Sequence, residues 1–411
     1  MWKFFSVIAI LVSLPLSSIT ISSSIGADLN NAHPLRIPLE KKLFVRGGDG
    51  IFNFTAAQLS HQHTLRKYRG TCEKYKHARS FWPSLSKFSR PYRHHRRQIE
   101  RLTNQGNQRG REIFGFRQSI AKITHAALRI FIMHLQAAHL QDFRIHLRLI
   151  FGSWLWRAGI DGDGSTTSGN QYRDSVKLAG ITIANQTFAG VSKLSDEFQH
   201  DPTDGVLGLA YPAISHLKSP SFIENAFNQG LIPSKTFSFK LANEGGELYL
   251  GGVNPSRFVG TLEAHPVIRQ AYWEIGNGSV NVNSINISQN GRMILDSGTT
   301  IIYGPKLAVE KLYSSVDGAK KYEKRDGLWK FPCVSAPSVS FSWNGGGQWA
   351  IDPKRMSLGK VEANSAECIG AISSQAVGLN DSWLLGDTFM SNVYSVFNPV
   401  GGGTVSFATP V

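Results

Sequence analysis

The chain has 411 residues, which is enough for two lobes or two domains with a sizeable core. Its 41% hydrophobic residues and 40 glycines are typical of a strand-rich globular protein, and it contains no heptad pattern, low-complexity tract or short repeat that would indicate a coiled coil or a solenoid. The net charge of +15 is uneven, because residues 79–157 hold 15 Lys and Arg but only 3 acids, a net of +12.

The N-terminus has the pattern of a secretory signal peptide over residues 1–27. Lys3 supplies the positive start, residues 4–16 form the apolar stretch, and small residues near Ala27 offer a cleavage site. This stretch is short for a membrane span, and no later run of about 18 apolar residues follows. We therefore expect a secreted protein, with the vacuole as the alternative destination, and no membrane contact.

Glycosylation triplets and cysteines agree with that compartment. Five Asn-x-Ser/Thr acceptors occur, at Asn53, Asn185, Asn277, Asn286 and Asn380. The three cysteines, Cys72, Cys333 and Cys368, indicate one disulfide and one leftover thiol. Cys333 and Cys368 would close a loop of modest size, although three free thiols remain the alternative.

The stretch before residue 161 divides into two segments. Residues 28–78 are basic and polar, include a predicted helix at 55–76, and stand where a pro-segment is expected. A basic pro-segment can block an acidic cleft by charge pairing, which is lost when the carboxylates are protonated. Residues 79–160 are rich in Arg and His and follow neither helical nor strand periodicity, which is unlike a foldable sequence.

From about residue 161 the sequence predicts a mainly antiparallel β structure. Glycine, Thr, Ser and Val become frequent, and short apolar runs alternate with turn signals, as at 176–183, 247–252, 338–343 and 393–397. Short helices are predicted near 222–229 and 307–316.

The most informative motif is the run MILDSGTTIIYGP at residues 293–305. Asp296 stands in a polar turn between apolar strands, where a buried carboxylate is costly unless hydroxyls and amides stabilise it. Asp-Ser-Gly alone is common in loops, but the run WLLGDTFMSNVYSVFN at 383–398 adds a second matching element.

Together these runs resemble the pepsin-like aspartic proteases, in a version like that of secreted fungal enzymes. The resemblance covers residues 161–411 and extends to DGDGSTTSG at 161–169, DGVLGLAYP at 204–212 and YWEI at 272–275. It implies a mainly β, bilobal fold, with residues 161–254 completing the N-terminal lobe and 255–411 forming the C-terminal lobe. It also implies a Cys333–Cys368 disulfide, peptide substrates, a monomer, and no metal, cofactor or nucleic acid.

The resemblance assigns roles to the matching residues. Asp296 would be the second-lobe catalytic aspartate, supported by Ser297, Gly298, Thr299 and Thr300. The substrate-covering flap would contain Gly162, Asp163, Gly164 and Ser165. The family places a Tyr just before the first of these glycines, where this chain has Asp161, whereas Asp163 matches a fungal flap acid that favours a basic substrate side chain.

The first-lobe catalytic turn is missing. Neither Asp-Thr-Gly nor Asp-Ser-Gly occurs before residue 161, and Asp142 lacks the turn sequence. We interpret residues 79–160, which stand in place of the first half of the N-terminal lobe, as an out-of-frame translation; a real polyanion-binding insertion is the alternative. The sequence thus predicts an acid endopeptidase family member whose literal chain lacks activity. Its alternatives are a catalytically dead peptide-binding homologue and a secreted basic polyanion-binding protein.

Overall fold

The computed structural model describes residues 32–39, 50–52, 167–194, 207–215, 217–374, 379 and 381–411, together with the backbone of three short strands before residue 160. This part is mainly β with few helices, which confirms the predicted fold class. Apart from the backbone of residues 9–10, the predicted signal peptide lies outside the described residues, as do the predicted helix at 55–76 and the flap residues 162–165. The strands are β1 Ala9–Ile10, β2 Leu35–Leu39, β3 Ile145–His146, β4 Trp154–Trp156, β5 Thr167–Leu178, β6 Ile181–Leu194, β7 Leu207–Gly208, β8 Phe237–Lys240, β9 Gly246–Leu250, β10 Phe258–Gln270, β11 Trp273–Val282, β12 Ile285–Leu295, β13 Ile302–Tyr303, β14 Lys320–Lys321, β15 Trp329–Pro332, β16 Val339–Trp343, β17 Trp349–Ala350, β18 Ser357–Lys360, β19 Glu367–Gly370, β20 Ile372–Ser373, β21 Ser382–Leu385, β22 Tyr394–Asn398 and β23 Thr404–Pro410. Within the described residues the helices are α1 Phe222–Asn228, α2 Lys306–Ser314 and α3 Asp387–Met390, with single 3-10 turns at Pro212–Ile214, Pro255–Arg257, Pro353–Arg355 and Val400–Gly402.

One large mixed sheet organises the described part. Its path runs β2-β9-β8-β22-β23-β10-β11-β12-β21-β13-β20, and β16 and β17 extend it from β11. Most neighbours are antiparallel, but β12 pairs parallel with β21 and β13 pairs parallel with β20. These two parallel pairs lie side by side, because β13 also pairs antiparallel with β21.

The large sheet continues across the predicted lobe boundary at residues 254 and 255. Strands β2, β8 and β9 precede that boundary, β22 and β23 follow it, and β8 pairs with β22 from Phe237↔Phe397 to Tyr394↔Lys240. At the far edge, β2 pairs with β9, and Arg36 forms an ion pair with the buried Glu247. The predicted pro-segment therefore contributes a strand to this sheet.

Three smaller sheets accompany the large one among the described residues. A four-stranded sheet has the order β14-β15-β19-β18, so that β18 is an edge strand. The long hairpin of β5 and β6 also pairs with the short strands β3 and β4, and β1 pairs with β7.

Local sequence explains the helices and the hairpin of β5 and β6. Helix α1 begins after Ser221, whose side chain accepts a hydrogen bond from the Glu224 amide in a capping box, and both α1 and α2 confirm the predicted helices. The run 176–183 contains the end of β5, a two-residue turn and the start of β6, because Ala179 and Gly180 both take positive φ angles and close the hairpin. Among the described residues, none of the helices has the length and apolar content needed to cross a bilayer.

An aromatic core joins helix α3 to strands β16 and β23 of the large sheet. The Phe389 ring lies 5.3 Å from Phe341 and 5.5 Å from Phe407, and Trp343 lies 5.0 Å from Phe407. All four side chains are essentially fully buried. Aromatic pairs at these distances add to the stability that area burial provides, so that α3, which carries Phe389, is held firmly against the sheet.

Candidate active site

The carboxylate singled out by the sequence lies at the end of a central strand. Asp296 directly follows β12, where Leu295 is paired with Leu385 of the parallel strand β21, and its amide donates a 3.0 Å hydrogen bond to the Leu385 carbonyl. The residue is only 1% exposed. Because three neighbouring strands, β12, β21 and β13, surround this point, the position of the Asp296 backbone is fixed by the sheet.

Both carboxylate oxygens of Asp296 accept hydrogen bonds from its own turn. The Gly298 amide donates to Oδ1 over 3.0 Å, and the Thr299 hydroxyl donates to Oδ2 over 2.6 Å. The Thr299 amide also donates to the Asp296 carbonyl over 3.1 Å, which closes the turn. Hydrogen bonds to the ionised form offset the cost of burying it and hold the carboxylate in one orientation.

The start of helix α3 supports the turn from behind. The Asp387 amide donates to the Thr299 carbonyl over 2.7 Å, and the amide and hydroxyl of Thr388 both donate to the Thr300 carbonyl, over 3.1 and 3.2 Å. Gly386 makes this approach possible, because a Cβ atom there would lie 2.2 Å from the Thr299 carbonyl oxygen. The two sequence runs at 293–305 and 383–398 are therefore two halves of one structure.

A buried tryptophan fixes the strand that leaves the turn. Trp383 of β21 is fully buried, and a Cβ atom at Gly304 would lie 2.4 Å from its ring. The Gly304 amide donates to the Ser373 carbonyl of β20 over 3.0 Å. Packing of a bare backbone against the indole thus determines the path of the chain from residue 301 to residue 305.

The structure brings together the predicted residues of the Asp296 turn. It does not describe the predicted flap residues. Thr299 is buried beside Asp296, whereas Ser297, Gly298 and Thr300 are partly exposed. Gly162, Asp163, Gly164 and Ser165 lie outside the described residues, so their relation to Asp296 stays a prediction. Cys333 and Cys368 form a disulfide that links the end of β15 to β19.

The sequence analysis did not identify Glu274, a second buried carboxylate, which lies on β11 beside the strand β12 that leads to Asp296. Glu274 is 1% exposed, with the Arg269 guanidinium 2.8 Å and the Arg292 guanidinium 3.9 Å from its oxygens, and the Ser382 hydroxyl donates to it over 3.4 Å. Since both cations are partly exposed, the cluster lies where the buried strand end meets the surface. The sequence signal was the acid between apolar residues in YWEI. In the sheet, Arg269 of β10 lies directly opposite Glu274, and Arg292 lies two residues before the β12 partner Ile294.

Comparison with known proteins agrees with the geometry of the turn. The sequence model described as eukaryotic aspartyl protease matches residues 160–410. The chain is 38% identical over 256 residues to an aspartic protease of Phaffia rhodozyma (61% of this chain and 62% of that protein). It is 32% identical over 253 residues to penicillopepsin-3 of Penicillium janthinellum (58% and 61%) and 31% identical over 247 residues to pepsin A of Sus scrofa (58% and 62%). The matched part thus spans about three fifths of the length of these relatives.

Proposed function

Because the chain belongs to the eukaryotic aspartyl protease family over residues 160–410, we propose that Asp296 is one of the two catalytic aspartates of a secreted acid endopeptidase. The observation that carries this proposal is the Asp296 turn itself. Its carboxylate is 1% exposed, and each of its two oxygens accepts a hydrogen bond from a residue of the turn. A carboxylate held in this way is oriented for proton transfer rather than dispersed in solvent.

The chemistry of such a site needs a second carboxylate. Two close carboxylates share one proton, because both cannot ionise cheaply at once. One then takes a proton from a water molecule, which attacks the peptide carbonyl, while the other donates its proton to the carbonyl oxygen. In this scheme Thr299 is a positioning residue, since its hydroxyl holds Oδ2 of Asp296, and Ser297 would bridge towards the partner loop.

The chain as written supplies only half of this site. The residues before 161 contain no second Asp-Thr/Ser-Gly turn, and the family match begins at residue 160. Both observations support our interpretation that residues 79–160 are out of frame and replace the first half of the N-terminal lobe. We therefore propose that the literal chain does not cleave peptides, whereas the natural reading frame encodes an active enzyme.

Two experiments test the proposal. The cDNA across codons 79–160 should contain, in another frame, an Asp-Thr-Gly or Asp-Ser-Gly turn between apolar strands. A chain expressed with that frame should hydrolyse a denatured protein at acid pH and be stopped by an aspartic-protease transition-state inhibitor. Asp296→Asn should lower its rate by roughly 10²–10⁴, and Asp352→Asn, a change at an exposed acid, should leave it unchanged. Inhibitor-sensitive cleavage by the literal chain would refute the requirement for a second aspartate.

The second candidate is a catalytically dead homologue that binds peptides. The lack of a second catalytic turn favours it if the cDNA agrees with the chain as written. It predicts binding of the transition-state inhibitor or of peptides without hydrolysis.

The third candidate is polyanion binding through residues 79–160, which rests on the +12 charge of that region. It predicts retention on heparin that falls steeply with salt.

The remaining expectations concern processing and specificity. Removal of residues 1–27 and 28–78, secretion, and a monomeric state are proposals that follow from the same assignment. Among the glycosylation triplets, Asn185 and Asn277 are exposed at positions of positive φ, where an attached glycan would meet solvent. Asp163 would favour a basic side chain in the adjacent substrate pocket.

A further inference from the structure

A short segment from the predicted pro-segment is bound to an edge strand of the C-terminal part. Ile51 forms a parallel bridge with Lys360 of β18. The Phe52 amide donates to the Lys360 carbonyl over 2.8 Å, and the Lys360 amide donates to the Gly50 carbonyl over 3.1 Å. Because β18 is the outer strand of its sheet, residues 50–52 use the edge that the sheet leaves open, which is how extended peptides are bound by strand addition.

Phe52 is the side chain that anchors this segment. It is 6% exposed, and its ring meets the Tyr322 ring edge-on, with centroids 6.3 Å apart. It belongs to one buried cluster with Leu328, Leu358 and Tyr303. Tyr303 lies on β13, seven residues after Asp296, so the cluster that receives Phe52 adjoins the strand leaving the candidate catalytic turn.

The receiving strand is shaped for close approach by another backbone. Gly359 has a φ of 124°, which disfavours other residues. A Cβ atom there would lie 2.8 Å from the Phe52 nitrogen and 2.9 Å from the Gly50 carbonyl oxygen. A glycine is thus required at this position for residues 50–52 to bind, both for its conformation and for its lack of a side chain.

We propose that the edge of β18 together with the Phe52 pocket is a peptide-binding site for extended segments in which an apolar residue precedes a phenylalanine. Residues 50–52 occupy it within the same chain. The biological role of this site rests on the proposed function. When residues 28–78 are removed, the site becomes available to equivalent segments of polypeptide substrates, at a distance from the bond that is cut. The pro-segment and such substrates then compete for it.

Side-chain alternation sets the specificity of the site. Successive residues of an extended segment point to opposite faces, so Phe52 enters the pocket while Ile51 remains half-buried. A shift of one residue would direct the phenylalanine away from the pocket. A peptide with these two residues exchanged therefore has the same composition but the wrong order, which makes it a matched control.

The test uses the full chain with Asp296→Asn, so that hydrolysis cannot affect it. A fluorescein-labelled peptide of residues 47–53 is titrated against three forms: this chain, the chain with Phe52→Ala, and the chain with Phe52→Ala and Gly359→Ala. Fluorescence anisotropy reports binding. We expect the Phe52→Ala form to bind the peptide at least about tenfold more tightly than the unmodified form, whose site is already occupied. Gly359→Ala should remove that gain.

Two controls make the result decisive. Gly402→Ala, at a φ of 96° with no atom within 4 Å of the added Cβ, should not affect binding. The peptide with Ile and Phe exchanged should bind at least about tenfold more weakly than the original. Equal binding by the occupied and vacated forms, or binding that survives Gly359→Ala, would overturn the proposal.

A variant that fails to fold would not leave the question open. Hydrogen exchange on the chain without changes at 52 or 359 gives a second measurement, because excess peptide should displace residues 50–52 and speed exchange of the Phe52 amide. Unchanged protection of that amide at saturating peptide would also refute the site. Loss of proteolytic activity in the experiments on Asp296 would alter neither measurement, so that the two proposals fail independently.

Discussion

The substitution Gly386→Ala tests whether the turn and helix α3 depend on close backbone contact. An added Cβ would lie 2.2 Å from the Thr299 carbonyl oxygen and 2.4 Å from that of Ile301. The first distance is about 1.2 Å shorter than ordinary van der Waals contact, which begins at 3.4 Å. Since both obstacles are backbone carbonyl oxygens, one in the turn and one just before β13, they cannot rotate away as a flexible side chain would.

The expected cost has two parts. Overpacking of a well-filled site costs about 1–3 kcal/mol. Separation of Gly386 from the turn also breaks the 2.7 Å hydrogen bond from the Asp387 amide to the Thr299 carbonyl, which contributes about 1 kcal/mol. The free energy of unfolding should therefore fall by about 2–4 kcal/mol, and the Asp296 turn should lose its fixed orientation.

Urea denaturation provides the assay, with the midpoint expected to fall at an unchanged slope. Gly252→Ala is the matched control, because the nearest atom to its added Cβ is 3.9 Å away and its φ is not positive. If the two variants unfold at the same urea concentration, the contact between Gly386 and the turn does not support the site as we argue.

Three further changes probe the site and its surroundings. Thr299→Val should cost about 1.5–3 kcal/mol of unfolding free energy at neutral pH, because a buried carboxylate loses a hydroxyl donor, whereas Thr299→Ser should retain most of it; urea curves that coincide for the two would contradict this. Replacing Cys333 and Cys368 by Ser should cost about 4 kcal/mol for a sequence separation of 35, and a reducing agent should destabilise the parent but not this variant in thermal unfolding. Burial lowers the pKa of His265 below 6.5, although Glu263 opposes the shift; the folded protein therefore binds this proton less readily than the unfolded chain, and stability is lost as pH falls below about 6.5. His265→Gln should reduce that loss between pH 7 and pH 5, and an unchanged pH dependence would be the contrary result.

The main features of the site could be predicted because they depend on local sequence. Asp296 is followed by residues whose amide and hydroxyl reach back to its carboxylate, and α1 is marked by the capping pair Ser221 and Glu224. Contacts across the sheet could not be predicted in the same way. Nothing near Gly304 in the sequence specifies Trp383, and the hairpin at Ala179 depends on a positive φ that alanine seldom adopts.

The same distinction explains how the Asp296 turn is ordered in a chain that has no Asp-Thr-Gly or Asp-Ser-Gly turn before residue 161. The hydrogen bonds described at the Asp296 turn join residues 295–304 to residues 371–388, and the aromatic core beneath α3 comes from residues 341–407. Both sets lie within the region that matches the family. The Asp296 turn is therefore assembled by contacts among residues outside 79–160, whereas the proton sharing that we propose requires a second carboxylate. Order at Asp296 consequently does not depend on residues 79–160, and in our proposal the reading frame across codons 79–160 decides whether the encoded protein has a second catalytic aspartate.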